Sequence, residues 1–149
     1  MVIEIRRARS GDLEALLPLV RAFCTADGHP NDESRITRGL RPLLVDDSLG
    51  QVWLAEDEGV PVGYAVVTWG WSLEAGGREG LLDEIFVRVQ GKGWGTSLLA
   101  HATERARAAG CTTMFLETEA HNSRARGFYA RHGFAQEDSV WMSAKLPEA

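Results

Sequence analysis

Residues 81–96, Leu81-Leu82-Asp83-Glu84-Ile85-Phe86-Val87-Arg88-Val89-Gln90-Gly91-Lys92-Gly93-Trp94-Gly95-Thr96, set the fold and point to the chemistry. An apolar strand pattern runs straight into three alternating glycines, and a helix pattern follows, Ser97-Leu98-Leu99-Ala100-His101-Ala102. A strand, a glycine turn and a helix N-terminus together make an anion site. Turn amides and the first free N–H groups of the helix converge on one spot, and the helix dipole adds positive potential there. Glycine lets the backbone approach a phosphate closely, because no Cβ stands in the way. The segment is expected to cradle a phosphorylated cofactor.

Working outward, residues 95–109 form an Ala-rich helix that stops at Gly110, and Thr112–Glu119 reads as a strand rich in β-formers. A helix that joins two strands by a crossover makes that pair parallel. Upstream the pattern is antiparallel: a strand over Gln51–Glu56, a turn at Asp57-Glu58-Gly59, a longer strand over Val60–Trp71, a loop at Glu74–Arg78 and a strand over Gly80–Val89. Val2–Arg6 alternates in strand fashion. Ser10 is expected to cap a helix to about Cys24, with Leu13, Leu16, Leu17, Val20 and Phe23 on one face and a bend or break at Pro18. Asn31 or Asp32 caps a second helix to about Val45. Downstream, a short helix runs from Asn122 to about His132 and stops at Gly133, and Phe134–Gln136 and Ser139–Leu146 read as final strands. The order predicts a mixed α/β (α+β) domain with a single, mostly antiparallel sheet flanked by helices.

A chain of 149 residues, 44% hydrophobic and 25% charged, is expected to be one domain, residues 1–149, able to bury a real core. No apolar stretch approaches the ~18–20 residues of a membrane span, and the charged N-terminus Met1-Val2-Ile3-Glu4-Ile5-Arg6-Arg7 does not read as a secretory signal. A cytoplasmic location with no membrane partner is the expectation. The net charge of -5 argues against a nucleic-acid partner, which needs a basic face, and suits a cationic small substrate. Cys24 and Cys111 fit no metal or redox spacing and read as buried thiols, so no metal is expected.

Three kinds of glycine loop bind phosphate. A P-loop is excluded, because no glycine is followed by Lys-Ser or Lys-Thr in the required frame. A dinucleotide turn would place Thr96 or Leu98 in its third glycine slot, with Glu117 as the ribose acid, but such a turn usually opens a parallel domain and here hairpins precede it. The third kind matches best. Gln90-x-x-Gly93-x-Gly95 fits the Q/R-x-x-G-x-G/A signature of the GNAT N-acetyltransferase superfamily. Asp83-Glu84-Ile85-Phe86-Val87 resembles that family's strand four, Asn122-x-x-Ala125-x-x-x-Tyr129-x-x-x-Gly133-Phe134 its second cofactor motif, and Ile5-Arg6-x-Ala8-x-x-x-Asp12-Leu13 its first strand and helix. The resemblance covers essentially the whole chain and is strongest over 81–134. Gln90 is the less usual of the two permitted residues and leaves a charge near the pyrophosphate absent.

The resemblance implies a splayed, GNAT-like sheet and an acetyl-coenzyme A cosubstrate whose acetyl group moves directly to a primary amine: a polyamine, aminoglycoside, amino acid or peptide amine. Amides of Gly91, Lys92, Gly93, Trp94, Gly95 and Thr96 would hold the pyrophosphate. The backbone of Phe86, Val87, Arg88 and Val89, running into Gln90, would pair with the pantetheine arm like an added strand, which requires backbone groups left unpaired by a splayed sheet. Asn122 would cap its helix and also reach the cofactor, and Lys92, Arg88, Arg124 and Arg126 are near enough to meet nucleotide charges. Sheet-edge dimers are common in the family, so the resemblance also points to a homodimer.

Direct transfer needs a deprotonated amine, a donor to the thioester oxygen and a proton or hydrogen bond for the leaving thiolate. Tyr129 is the acid that the resemblance implies; taken alone it reads as a core aromatic beside Phe128. For the base, Asp83 and Glu84 are adjacent on one strand. In a regular strand only one points into the cleft, and a bulge would break that parity. Glu84 is the favoured base, with Asp83 the alternative. His121 and His132 read as polar surface, and Trp53, Trp69 and Trp71 as packing. The resemblance implies an acceptor pocket built from the first helices, the loop between them and the 70–80 hairpin, where Asp27, Asp32, Glu33, Glu74 and Glu79 would form an acidic rim that suits an amine. A non-catalytic acetyl-coenzyme A sensor is the alternative from a different class.

Overall fold

The computed structural model describes residues 2–149. They fall into two compact units, one ending at Leu116 and the other spanning Glu117–Ala149. In the first unit the elements run β1 (Glu4–Arg7), a 3₁₀ turn (Ser10–Asp12), α1 (Leu13–Asp27), α2 (Glu33–Val45), β2 (Gly50–Asp57), β3 (Val60–Ser72), β4 (Gly77–Val87), α3 (Trp94–Ala108) and β5 (Thr113–Phe115). The second unit holds α4 (Ser123–Arg131).

The strands lie in sequence order, β1-β2-β3-β4-β5. The first three pairings are antiparallel, and α3 carries the chain across to make β4–β5 parallel, as its crossover requires. Glu58 and Gly59 both take positive φ, 50° and 79°, forming the two-residue turn whose twist matches a hairpin. Asp32 caps α2 by accepting from the Arg35 N–H at 3.2 Å.

Each face of the sheet is covered. On one, Leu16, Leu19, Val20 and Cys24 of α1 and Leu40 and Leu44 of α2 pack on Val52, Leu54, Tyr64 and Val66. On the other, α3 buries Leu98, Leu99 and Ala102, and His101 meets the Trp53 ring edge-on at 5.9 Å. The buried stripe of α1 is rotated from the expected one: Leu19 and Cys24 are inside, while Leu13, Leu17 and Phe23 flank the core. Pro18 does not end α1. Burial of the helix face offsets the one backbone hydrogen bond a proline forfeits. Ser10 starts the 3₁₀ turn rather than capping α1, and Asp12 instead accepts from the Arg9 N–H at 2.8 Å while binding the Arg6 guanidinium.

The C-terminal expectations differ from what forms. β5 stops at Phe115 rather than Glu119, and among the described residues no strand forms at 134–136 or 139–146. Val140, Trp141, Met142 and Leu146 are exposed. β-propensity is largely packing against a neighbouring strand, so an alternating run without one stays irregular. Among the described residues no helix is long and apolar enough to cross a membrane.

Candidate active site

β4 changes character along its length. Glu79, Gly80 and Leu81 pair with β5 on one side and β3 on the other. From Leu82 to Val87 the strand has β3 alone, so its outward backbone N–H and C=O groups have no strand partner among the described residues. Buried or half-buried backbone groups need partners. An extended, amide-bearing molecule laid along this edge would supply them.

The transition coincides with a bulge. Val66 pairs with Glu84 and Val67 with Leu82, leaving Asp83 as the extra residue. Leu82 therefore faces the α3 side with Val67 and is buried, while Glu84 shares the α1 side with Val66. Without the bulge, Leu82 and Glu84 would share a face, and the carboxylate would stand where the α3-side core needs a leucine.

Glu84 is half-buried and accepts a 2.6 Å hydrogen bond from the Tyr64 hydroxyl on its Oε1. Burial raises its pKa above the usual carboxylate range, and the charges of Asp83 and Asp27 act the same way, against the Tyr64 hydrogen bond and His29. Asp83 is raised by burial among its neighbours, although its side chain reaches solvent. Rings from β3, β4, α1 and the loop after α1 gather beside Glu84: Phe86 lies 6.3 Å from Tyr64 and 6.4 Å from Phe23, and Phe23 stacks on His29 at 6.4 Å. His29 in turn lies 2.6 Å from Asp27. A carboxyl held half-buried with a raised pKa suits proton abstraction near neutral pH.

Past the open edge, Gly91 and Gly93 adopt left-handed φ of 84° and 78°, and Gly93 is the residue that caps α3. A Cβ would be strained in this conformation. The Ser97 N–H donates to the Gly93 carbonyl, which leaves the N–H groups of the first turn, Trp94, Gly95 and Thr96, without intrahelical acceptors. Trp94 is buried and fixes the helix start, with the Lys92 ammonium 5.1 Å over its ring. Arg88 is exposed, and its N–H pairs with the Val62 carbonyl. The turn and the open β4 edge fit a diphosphate with an extended amide tail.

In the second unit Asn122 caps α4 by accepting from the Ala125 N–H at 3.0 Å. Tyr129 is half-buried and lies edge-on to Phe128 at 5.2 Å and Phe134 at 5.8 Å. Arg124 is exposed, whereas the Arg126 guanidinium donates to the carbonyls of Glu119 and Ala120 and serves the entry to the helix. His132 donates from Nδ1 to the Phe128 carbonyl at 2.7 Å, which ties it to its own helix. Among the tryptophans, Trp53 is core, and Trp69 donates to the Asp47 carbonyl while Arg78 covers its ring; Trp71 is exposed. The first unit thus brings together Asp83, Glu84 and the residues from Phe86 to Thr96. Tyr64, Phe23 and His29 belong beside them and were not expected. For Tyr64 the only signal was a hydroxyl inside the apolar run 64–67.

The residue pattern and the geometry agree with the comparisons. The model of the acetyltransferase (GNAT) family matches residues 14–134. An uncharacterized N-acetyltransferase of Bacillus subtilis is 26% identical over 137 residues, covering 91% of each chain. Among solved structures, an integron cassette protein from the mobile metagenome of Cole Harbour Salt Marsh superimposes with a TM-score of 0.85 at 30% identity, over 97% of this chain and 91% of that one. An aminoglycoside N-acetyltransferase in complex with CoA shares the fold, with a TM-score of 0.79 at 21% identity over 97% of this chain and 95% of that one. The chain belongs to the GNAT acetyltransferase family and is an acetyl-CoA-dependent acetyltransferase.

Proposed function

We propose that the protein transfers acetyl from acetyl-CoA directly to a small primary amine, with residues 1–149 acting as one catalytic domain. The observation that carries this is the sequence of features along a single strand. β4 presents a half-buried carboxylate, then an unpaired backbone edge, then a left-handed glycine turn at the start of α3. Base, pantetheine slot and pyrophosphate cradle would thereby follow one another along β4 and the turn that leads into α3.

In this reading Glu84 takes the ammonium proton of the acceptor, directly or through a water. A lysine-like amine has a pKa of roughly 10.4, so most of it is unreactive at neutral pH until a base acts. Asp83 adds negative charge beside it and attracts the cation. The Gly91–Thr96 amides hold the diphosphate, and the open edge around Phe86–Val89 pairs with the pantetheine amides. When bound, acetyl-CoA supplies an activated acyl group and a thiolate leaving group. Tyr129 is assigned the hydrogen bond to that sulfur, and Asn122 and Arg124 contacts to the cosubstrate, by the family motif they match. The acidic residues Asp27 and Glu84 and the rings of Phe23 and Phe86 favour an acceptor that is cationic at its reacting end.

Two measurements test this. Acetyl-CoA and CoA should each raise Tm while NAD leaves it unchanged, since only a ligand specific to the native state stabilises it. Thiol release with a panel of polyamines, aminoglycosides and amino acids should then show turnover with at least one amine. Uptake of acetyl-CoA with no acyl transfer to any amine would favour a sensor instead.

A further inference from the structure

We infer that Tyr64 is a positioning residue: its hydroxyl holds one oxygen of the Glu84 carboxylate, so that the other is left to receive the amine proton. The inference rests on Glu84 being the base.

Tyr64 is 0% exposed and sits in the core between the sheet and α1, where a phenylalanine would bury the same ring without a polar atom. A hydroxyl buried there costs stability unless it is hydrogen-bonded. Among the described residues its partner is Glu84 Oε1, at 2.6 Å. That contact depends on the bulge at Asp83, which turns Glu84 onto the face where Tyr64 lies. The phenol itself is locked, with the Phe86 ring tilted against it at 6.3 Å and Phe23 behind Phe86. A short bond from a fixed donor removes freedom from a flexible glutamate, and it does so from within the core.

The other groups around Glu84 do not replace this bond. Asp83 on β4 and Asp27 at the end of α1 are like charges, and His29 just beyond α1 is paired with Asp27. The Cys24 thiol on α1 is held neutral by burial and by the charge of Glu84. From the opposite face, α3 presents Leu98, Leu99 and Ala102. Burial and the charge of Glu84 also push the Tyr64 phenol far above its ordinary pKa, so it remains a donor throughout the working pH range.

Tyr64→Phe keeps the ring and removes the donor. A hydrogen bond to the charged form favours that form, so its loss raises the Glu84 pKa further, by about one pH unit. The acidic limb of kcat/KM against pH, measured with spermidine or kanamycin, whichever turns over faster, should move upward by that amount. On that limb activity at a given pH should fall by up to about tenfold, with a smaller loss near pH 7 and full recovery at higher pH. KM for acetyl-CoA should not change. A uniform fall at every pH, or a superimposable profile, overturns the inference.

A readout without turnover covers the same point. The chain has two tyrosines, so protein carrying ¹³Cζ-tyrosine gives two resonances, and the one lost in Tyr64→Phe belongs to Tyr64. It should shift with pH as Glu84 titrates, and Glu84→Gln should flatten the shift; a Tyr64 resonance that is flat in the unsubstituted protein overturns the contact. If Glu84→Gln leaves the pH profile intact, the base assignment falls and takes this inference with it. If Glu84→Gln alters the profile and Tyr64→Phe does not, only the role of Tyr64 falls.

Discussion

The two halves of β4 are built from the same strand and do opposite things. Residues 79–81 sit between β3 and β5, and Gly80 is packed so closely that a Cβ there would lie 3.1 Å from Val67 Cγ1 and 3.5 Å from Met114 Cγ and Cys111 Sγ. Residues 82–87 lack the second neighbour, carry the bulge and hold two carboxyls with raised pKa values. The first half is saturated with contacts, and the second keeps backbone and side-chain capacity unspent. That contrast teaches where stability and function lie. Substitution in the paired half should cost folding without touching chemistry, and substitution in the open half should do the reverse.

The largest effect should come from Glu84→Gln. Removing a general base costs about 10²–10⁴-fold in rate. kcat/KM should fall by that range at neutral pH and the pH optimum should move upward, because only the fraction of amine already deprotonated reacts. Steady-state kinetics across pH 5–10 measures both. Asp83→Asn should cost less, since Asp83 contributes charge and not the hydrogen-bonded carboxylate. If Asp83→Asn proves the more damaging, the base is misassigned within the same half of the strand.

Gly80→Ala probes the paired half. Its Cβ must push aside Val67 or spread β3 from β5, and overpacking of this kind costs about 1–3 kcal/mol. For a chain of this size each kcal/mol lowers Tm by roughly 2–4 °C. kcat/KM for both substrates should stay within about twofold, since a displacement of 1.4 kcal/mol would be needed for tenfold. A large kinetic defect in Gly80→Ala with an unchanged Tm would dissolve the distinction between the halves.

Gly93→Ala extends the open half to its far end. The site has room for a methyl group, with nothing within 4 Å, but φ is 78°. A Cβ in the left-handed region costs roughly 1–2 kcal/mol, and the turn relieves it by shifting the amides proposed to hold the diphosphate. KM for acetyl-CoA should rise about tenfold with kcat little changed, the signature of lost cosubstrate binding.

Much of this contrast was legible in the sequence, and the limits were physical. The glycine turn, α3 and the Asn122 cap depend on residues within a few positions of each other, and their chemistry is local. Asp83 and Glu84 were recognisable as a pair, but their sorting was not, because a bulge is fixed by register against β3 and leaves no mark in the strand's own composition. Tyr64 lies 20 positions from Glu84 and joins it only through that register. Phe23 and His29 approach because α1 packs on the sheet face that carries Phe86, a contact between distant elements that no local pattern reports. The alternating residues at 139–146 had the propensity of a strand, and what they lacked in the fold was a neighbour, which no local pattern reports.

The smallest effect is also the one most specific to the open half. Glu84 has a folded-state pKa raised above its unfolded value, chiefly by burial. The native state therefore holds the proton more tightly than the unfolded chain does. Its contribution to stability is complete below the ordinary glutamate pKa and is lost as pH rises through the folded value. At neutral pH the ionised carboxylate is a net cost to stability, which the proposed role as base would account for. Glu84→Gln keeps a carbonyl oxygen for the Tyr64 hydroxyl and removes the charge. Thermal melts at pH 7.5 should show it more stable by on the order of 1 kcal/mol, or about 3 °C. The gain should shrink toward zero as the pH is lowered past the ordinary carboxylate range. A variant that is less stable at pH 7.5 would mean that the Tyr64 bond outweighs burial, and that the carboxylate is anchored as part of the structure and not held in reserve for catalysis.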